Sequence, residues 1–411
     1  MLAAIGQSLS IGSMFMYTFG IFAKPLAAEF HGSRAAVSLA ILFLNLIVAV
    51  TSPFTGYAVD RFGGRRVITI SILALSGCLL VLSTITPPIW HLYALYIAAG
   101  IAGTGSSPVA YSRVVASWFD HDRGLALGCA SAGLGMGAFI VPSITQFVIQ
   151  HHGWRQAYVA LACLSACIAA PVIGWFLRGT PQELGLLPDG ADDTSHGIAA
   201  KAPLPGLTFR EALRTGMFWR LFLIFYAVSA CLNGTVTHLV PLLTDRGVGG
   251  QQAAAAVSLF GAATVIGRVG NGYLADRYFA PYIAAILFSG ATAGVALLWH
   301  GATGSLVYFA ALLMGLAIGA EADVMPFLVS RYFGMRSMGA LFGCIFSAYT
   351  LGAGSGPYLL GAGFDATGSY RAPLGYALPV MALAIGATLS LGKYRYLRSS
   401  AISRLASRDD I

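Results

Sequence analysis

Apolar runs of roughly 20 residues or more follow one another along almost the whole chain, and few folds accept such a pattern. Residues about 4–28, 35–57, 67–86, 90–115, 124–149, 156–178, 217–243, 251–273, 281–300, 303–330, 338–364 and 372–394 each read as a helix bounded by charge, Pro or Gly. A hydrocarbon core about 30 Å thick needs a helix of about 20 residues. Charge is scarce over the chain as a whole: of 411 residues, 10% are charged and 57% hydrophobic. A soluble domain carries about 25% charged residues, so this chain lacks the polar groups to cover a soluble surface. Disordered chains are polar, and disorder is excluded on the same ground. The expected fold is an all-α membrane protein with twelve transmembrane helices.

The formal net charge is +8, and the distribution of that charge decides what it means. With both termini inside, 18 of the 24 Lys and Arg fall on the cytoplasmic side and five outside (Lys24, Arg34, Arg155, Arg246 and Arg371). The remaining one, Arg268, lies within a span. This is the positive-inside asymmetry of an integral membrane protein. Basic residues spread over the loops of one face do not form a nucleic-acid surface, and no nucleic-acid partner is expected. Met1 leads into an apolar stretch without a basic n-region, which reads as a first span, not a cleaved leader. The expected setting is a bacterial inner (plasma) membrane, multi-pass, with cytoplasmic termini. The six cysteines (Cys78, Cys129, Cys163, Cys167, Cys231 and Cys344) all sit in apolar runs and read as packing residues.

One long polar segment, 179–216, separates two halves, giving bundles over 1–178 and 217–394 and a tail over 395–411. The halves repeat each other. Pro25-Leu26 returns as Pro241-Leu242, Gly56-Tyr57 and Asp60-Arg61 as Gly272-Tyr273 and Asp276-Arg277, and Trp154-Arg155 as Tyr370-Arg371, all offset by 216. Gly128-Cys129 returns as Gly343-Cys344, and Pro142 as Pro357, offset by 215. Ordered matches at a nearly constant offset indicate a duplicated six-helix unit. Two pseudo-symmetric bundles follow, with a cavity expected between them.

The loop Gly56-Tyr-Ala-Val-Asp60-Arg61-Phe-Gly63-Gly64-Arg65-Arg66 places a small residue and an ionic cluster at the cytoplasmic end of two spans. Its acid suits the positive end of a helix dipole, a contact that forms in one state and breaks in another. Asp60, Arg61, Arg65, Asp276 and Arg277 are therefore the candidate gating residues. The loop resembles the signature loop of the major facilitator superfamily. The stretch Trp118-Phe119 to Gly137, with Arg123-Gly124, Gly128, Gly133 and Gly137, resembles span 5 of the monocarboxylate transporter and oxalate/formate antiporter group. Phe22-Ala-Lys24-Pro25, Glu29-Phe30 and Ser33-Arg34 are similar to the same group. Glycines at such spacing are equally what close helix packing requires.

Charges inside spans are functional candidates because placing them there is costly. These are Arg268 in span 8 and Glu321 and Asp323 in span 10. Arg268 precedes Asp276 by eight residues and Asp323 precedes Arg331 by eight, so both stand about 12 Å above the cytoplasmic boundary. Glu321 and Asp323 point about 200° apart and cannot both face one partner. The resemblance implies that Arg268 binds the substrate carboxylate; the same arginine could instead be held in an ion pair with either acid. The family acid one turn before this arginine is Thr264 here, the span-1 lysine of many members falls at Tyr17, and 338–364 contains no lysine. Glu321 or Asp323 is expected to supply the missing carboxylate for proton coupling. Tyr17, Tyr111, Asn233 and His238 are further candidates for substrate binding, since spans 1, 4 and 7 line the cavity in this superfamily. Arg113, at the inner end of span 4, reads as a snorkelling side chain.

No nucleophile, phosphate loop or metal-ligand set stands out, so no enzyme activity, cofactor or metal is expected. The favoured function is a secondary active transporter moving a small organic monocarboxylate with protons by alternating access. Its partners are then that anion, protons and the lipid bilayer, and the chain is expected to be monomeric. Efflux of drug-like or amphipathic compounds is a second reading. A non-transporting receptor is a third, which a linker of 38 residues and a tail of 17 do little to support.

Overall fold

The computed structural model describes residues 1–30, 34–186, 188–190 and 205–396. Most of the polar linker and nearly all of the tail lie outside these. The described chain is helical, with no strand and one isolated antiparallel bridge, Gly206 to Gly334.

Ten of the described helices are long and apolar enough to cross a membrane. They are α3 (Arg34–Phe62), α4 (Gly64–Leu82), α7 (Arg123–His152), α8 (Trp154–Cys163, continuing as π-helix to Phe176), α10 (Gly216–Thr237), α12 (Gly250–Arg277), α13 (Ala280–Trp299), α14 (Ser305–Phe333), α15 (Met338–Thr367) and α16 (Arg371–Leu389). Short helices α9 (Phe209–Leu213) and α11 (Leu239–Thr244) flank α10.

The two remaining spans, read from sequence as continuous over 4–28 and 90–115, are broken. The first runs as α1 (Leu2–Ser8), a π-turn over Gly12–Met16 and α2 (Phe19–Glu29). The second runs as α5 (Trp90–Gly103), a 3-10 turn and α6 (Pro108–Trp118). Their chemistry explains the breaks. Hydroxyls in the first turn back on the chain, Ser8 to the Ile5 carbonyl at 2.8 Å and Thr18 to that of Met14 at 2.6 Å, which loosens a helix. In the second, Pro108 forces Ser107 into an extended conformation (ψ 168°) and starts a new helix at N1. The breaks satisfy each other: the Ile11 amide donates to Ser106 Oγ at 3.1 Å, as a freed backbone group inside a membrane must.

The chain forms two compact units. Among the described residues, the first comprises those within Met1–Asp120, Cys129–Leu204 and Arg336–Gly343; the second comprises those within His121–Gly128, Pro205–Met335 and Cys344–Ile411. In the first, α4 packs on α5 and α8, around Phe22 stacked on Tyr158 at 4.1 Å and the Tyr96–Tyr158 hydroxyl pair at 3.1 Å. Tyr111 is fully buried beneath Gly6, where any Cβ would overlap its ring. In the second unit α12 packs on α14, α13 on α14 and α16, and α10 on α16.

The α12–α14 crossing depends on small residues, since lipid offers no hydrophobic drive for helix association. A Cβ on Gly319 would overlap the Thr264 carbonyl, and one on Gly315 the Phe260 carbonyl. Gly319→Val is expected to force these helices apart and to cost about 1–3 kcal/mol, read as a lowered thermal unfolding midpoint in detergent. An unchanged midpoint would show that the crossing tolerates a side chain.

Candidate functional site

Two carboxylates cap two helix starts in the same register. In the first unit, Asp60 Oδ1 accepts from the Gly339 amide and Oδ2 from the Ala340 amide, each at 3.1 Å. In the second, Asp276 Oδ1 accepts from the Gly124 amide at 2.9 Å and Oδ2 from the Leu125 amide at 2.8 Å. Gly124 and Leu125 are the second and third residues of α7; Gly339 and Ala340 are the second and third of α15. Each carboxylate thus satisfies two of the donors that a helix start leaves unpaired and meets the positive end of the dipole. Glycine makes the approach possible. A Cβ on Gly56 would overlap the Gly339 carbonyl, and one on Gly272 the Gly124 carbonyl.

Arg113 does not snorkel. It is buried, and its Nε donates to Asp60 Oδ1 at 2.8 Å, completing a charge pair that backs the cap. Arg65 Nε donates to the Gly174 carbonyl at 2.6 Å near the end of the helical run that began as α8. Arg61 and Arg277 stay at the surface, over the rings of Phe62 and Tyr273 respectively. Arg123, which sequence reading left among the family motif residues, is buried and donates to Ser330 Oγ at 3.0 Å. The offset of 215 that links Gly128 to Gly343 also links Gly124 to Gly339, and that was the available signal for this second cap.

Arg268 stands apart from these clusters. It lies on α12, 8% exposed, and among the described residues its side chain has neither an ion-pair nor a hydrogen-bond partner. The ion pair with Glu321 or Asp323 left open by the sequence is therefore not formed. Leaving a buried guanidinium uncompensated costs several kcal/mol. The duplication sharpens the point. A Cβ on Gly128 would lie 2.6 Å from the Arg268 carbonyl, and one on Gly343 would overlap the Ser52 carbonyl. Ser52 is thus the counterpart of Arg268 in the first unit, with its hydroxyl on the Val48 carbonyl at 2.6 Å. The charge has been placed in one half only.

Glu321 is fully buried on α14, and neither carboxyl oxygen has a hydrogen-bond partner among the described residues. Asp323 is buried two residues further on. Asn271, one turn beyond Arg268, donates to the Ala320 carbonyl at 3.5 Å. The other candidates are scattered. Tyr17 is 40% exposed, whereas the Tyr111 hydroxyl is buried without a hydrogen-bond partner among the described residues. Asn233 bonds the Ser229 carbonyl and hydroxyl of its own helix, at 3.0 and 3.1 Å. His238 sits at the α10–α11 junction between the Tyr370 hydroxyl (3.1 Å) and the Pro357 carbonyl (3.0 Å). Burial, then the nearby Asp245 and Asp365 carboxylates, push the Tyr370 hydroxyl above its ordinary range. Among the described residues no cluster of His, Cys, Asp and Glu could hold a metal. Sequence reading also passed over Gln7, on α1 of the first broken span, whose amide is buried with no hydrogen-bond partner among the described residues.

The family profile of the Major Facilitator Superfamily matches residues 3–357. The chain belongs to this superfamily. Monocarboxylate transporter 13 of Bos taurus is 26% identical over 377 residues, covering 90% of this chain and 83% of that protein. The uncharacterized MFS-type transporter YcxA of Bacillus subtilis is 24% identical over 266 residues, covering 64% of this chain and 61% of YcxA. In fold, the chain resembles the proton:xylose symporter XylE with a TM-score of 0.73 at 13% identity, covering 95% of this chain and 94% of that one. The superfamily carries small molecules across membranes, and the apolar helices make this chain an integral multi-pass membrane protein.

Proposed function

We propose that the chain is a secondary active transporter of a small organic monocarboxylate, coupled to protons and working by alternating access with both termini in the cytoplasm. The observation that carries this reading is Arg268, a buried guanidinium that forms no hydrogen bond or ion pair among the described residues. A guanidinium fork matches a carboxylate bidentately, and an anion there would supply the direct partner that the side chain lacks among the described residues. The single arginine, with Ser52 at its counterpart, suits one carboxylate better than two. The acids of α14, Glu321 and Asp323, are the candidates for the coupled proton. The Asp60 and Asp276 caps are reversible contacts, broken and re-formed as access changes. The relatives named as monocarboxylate transporters support the substrate class.

Reconstituted vesicles test the proposal. With an imposed pH gradient, acid outside, a panel of short monocarboxylates is expected to accumulate faster and at lower concentration than in protein-free vesicles under the same gradient, while their neutral amides show no such difference. Equal accumulation of acid and amide, or none of either, would refute the reading.

A further inference from the structure

The two acids of α14 occupy opposite sides of that helix, and only one of them faces Arg268. Gly315 meets the Phe260 carbonyl and Gly319 meets that of Thr264, so α12 and α14 run side by side at an offset of 55 (315 − 260 and 319 − 264). Phe260, Thr264 and Arg268 descend α12 in steps of four, as Gly315, Gly319 and Asp323 descend α14. Residues four apart lie on one helix face, so Asp323 continues the stripe toward α12 at the level of Arg268. Glu321 stands about 200° from Gly319 and so projects from the opposite side. On that side it falls within electrostatic reach of Cys231 of α10, whose Sγ in turn lies 3.9 Å from the Ala377 carbonyl of α16. Between Ala280 and Trp299, and between Ala372 and Leu389, no Asp, Glu, Lys, Arg or His exists to approach it from α13 or α16. Ionising Glu321 sets an uncompensated charge in an apolar bundle, which is costly.

We infer that the coupled proton is carried by Glu321 alone, on the α10 side of α14, and that Asp323 tunes the affinity of Arg268 for the anion. This rests on the carboxylate reading of Arg268. In the cycle, Glu321 takes a proton from water on one side of the membrane and returns it to water on the other, with no bond to the substrate formed or broken. Substrate and proton then do not compete for one guanidinium. They communicate through α14, the rigid element that both sites bias.

Glu321→Gln and Asp323→Asn separate the roles in vesicles. Glu321→Gln is expected to retain substrate counterflow, which needs no net proton movement, and to lose accumulation driven by the pH gradient. Asp323→Asn is expected to keep gradient-driven accumulation and to lower the KM, because a negative charge facing Arg268 is gone. Infrared difference spectra between acid and alkaline pH give a second reading independent of transport. A protonated carboxyl band is expected in the wild-type chain and in Asp323→Asn, and is expected to vanish in Glu321→Gln. Gradient-driven accumulation by Glu321→Gln, or a carboxyl band that disappears with Asp323 instead, overturns the assignment. Absence of carboxylate movement in the wild-type chain refutes the carboxylate reading itself and is thereby distinguishable.

Discussion

Replacing Arg268 by alanine is expected to abolish carboxylate binding while leaving a folded, membrane-inserted chain. The guanidinium can form two charge-assisted hydrogen bonds to a carboxylate, each worth about 1.5–3 kcal/mol. Their loss corresponds to a weakening of about 10²–10⁴-fold. Stability should not fall with affinity, because among the described residues Arg268 hydrogen-bonds to no other side chain. Arg268→Lys keeps the charge but not the fork, and an intermediate affinity is expected. Equilibrium binding on purified protein, with thermal unfolding of the same samples, reads both quantities. A variant that binds carboxylates normally removes the anchor; one that unfolds on losing Arg268 makes the residue a structural one.

The second large effect is expected at Asp60. Its carboxylate takes two helix-start amides and the Arg113 guanidinium together. Asp60→Ala removes a cap, at about 0.5–2 kcal/mol. It also leaves Arg113 as a buried charge without its acid, at about 3–5 kcal/mol. The two costs overlap, so their sum is an upper bound. Arg113→Ala in the same chain should then recover part of the loss, a coupling of about 0.5–3 kcal/mol in a double-mutant cycle. Thermal unfolding of the four proteins gives that coupling, and strictly additive losses would show that the pair is not a unit. Asp276→Ala should reproduce the cap component in the second unit, where the Gly124 and Leu125 amides lose their acceptor.

Much of this was legible in the amino-acid sequence, for identifiable reasons. Scarce charge and long apolar runs leave a membrane bundle as the accessible fold, and offsets of 215–216 reveal the duplication. The acid in each repeated loop marks a helix-start contact because only a dipole or a cation stabilises a carboxylate there. The broken spans were less visible. Ser107-Pro108 signals a break, but the hydroxyl-rich stretch from Ser8 to Ser13 becomes one only because Ser106 of the other break takes the Ile11 amide. Arg113 was misread for a similar reason. At a helix end, periodicity cannot distinguish a side chain that reaches for headgroups from one that turns inward to an acid 53 residues away in sequence. Depth counting did place Arg268 and Asp323 at one level. It could not show that the arginine forms no hydrogen bond or ion pair among the described residues, since that depends on how far α12 and α14 rotate about their shared glycine contacts.

The central claim is that one unpaired arginine recognises one carboxylate. Thermal unfolding of the purified wild-type chain with matched pairs of a short monocarboxylate and its neutral amide tests it most directly. A ligand that binds only the folded state at a hundred times its Kd stabilises by about 2.7 kcal/mol, which is readily seen as a raised midpoint. The expected result is stabilisation by the acid, none by the amide, and none by either in Arg268→Ala. Equal shifts with acid and amide, or a full shift by the acid in Arg268→Ala, would contradict it.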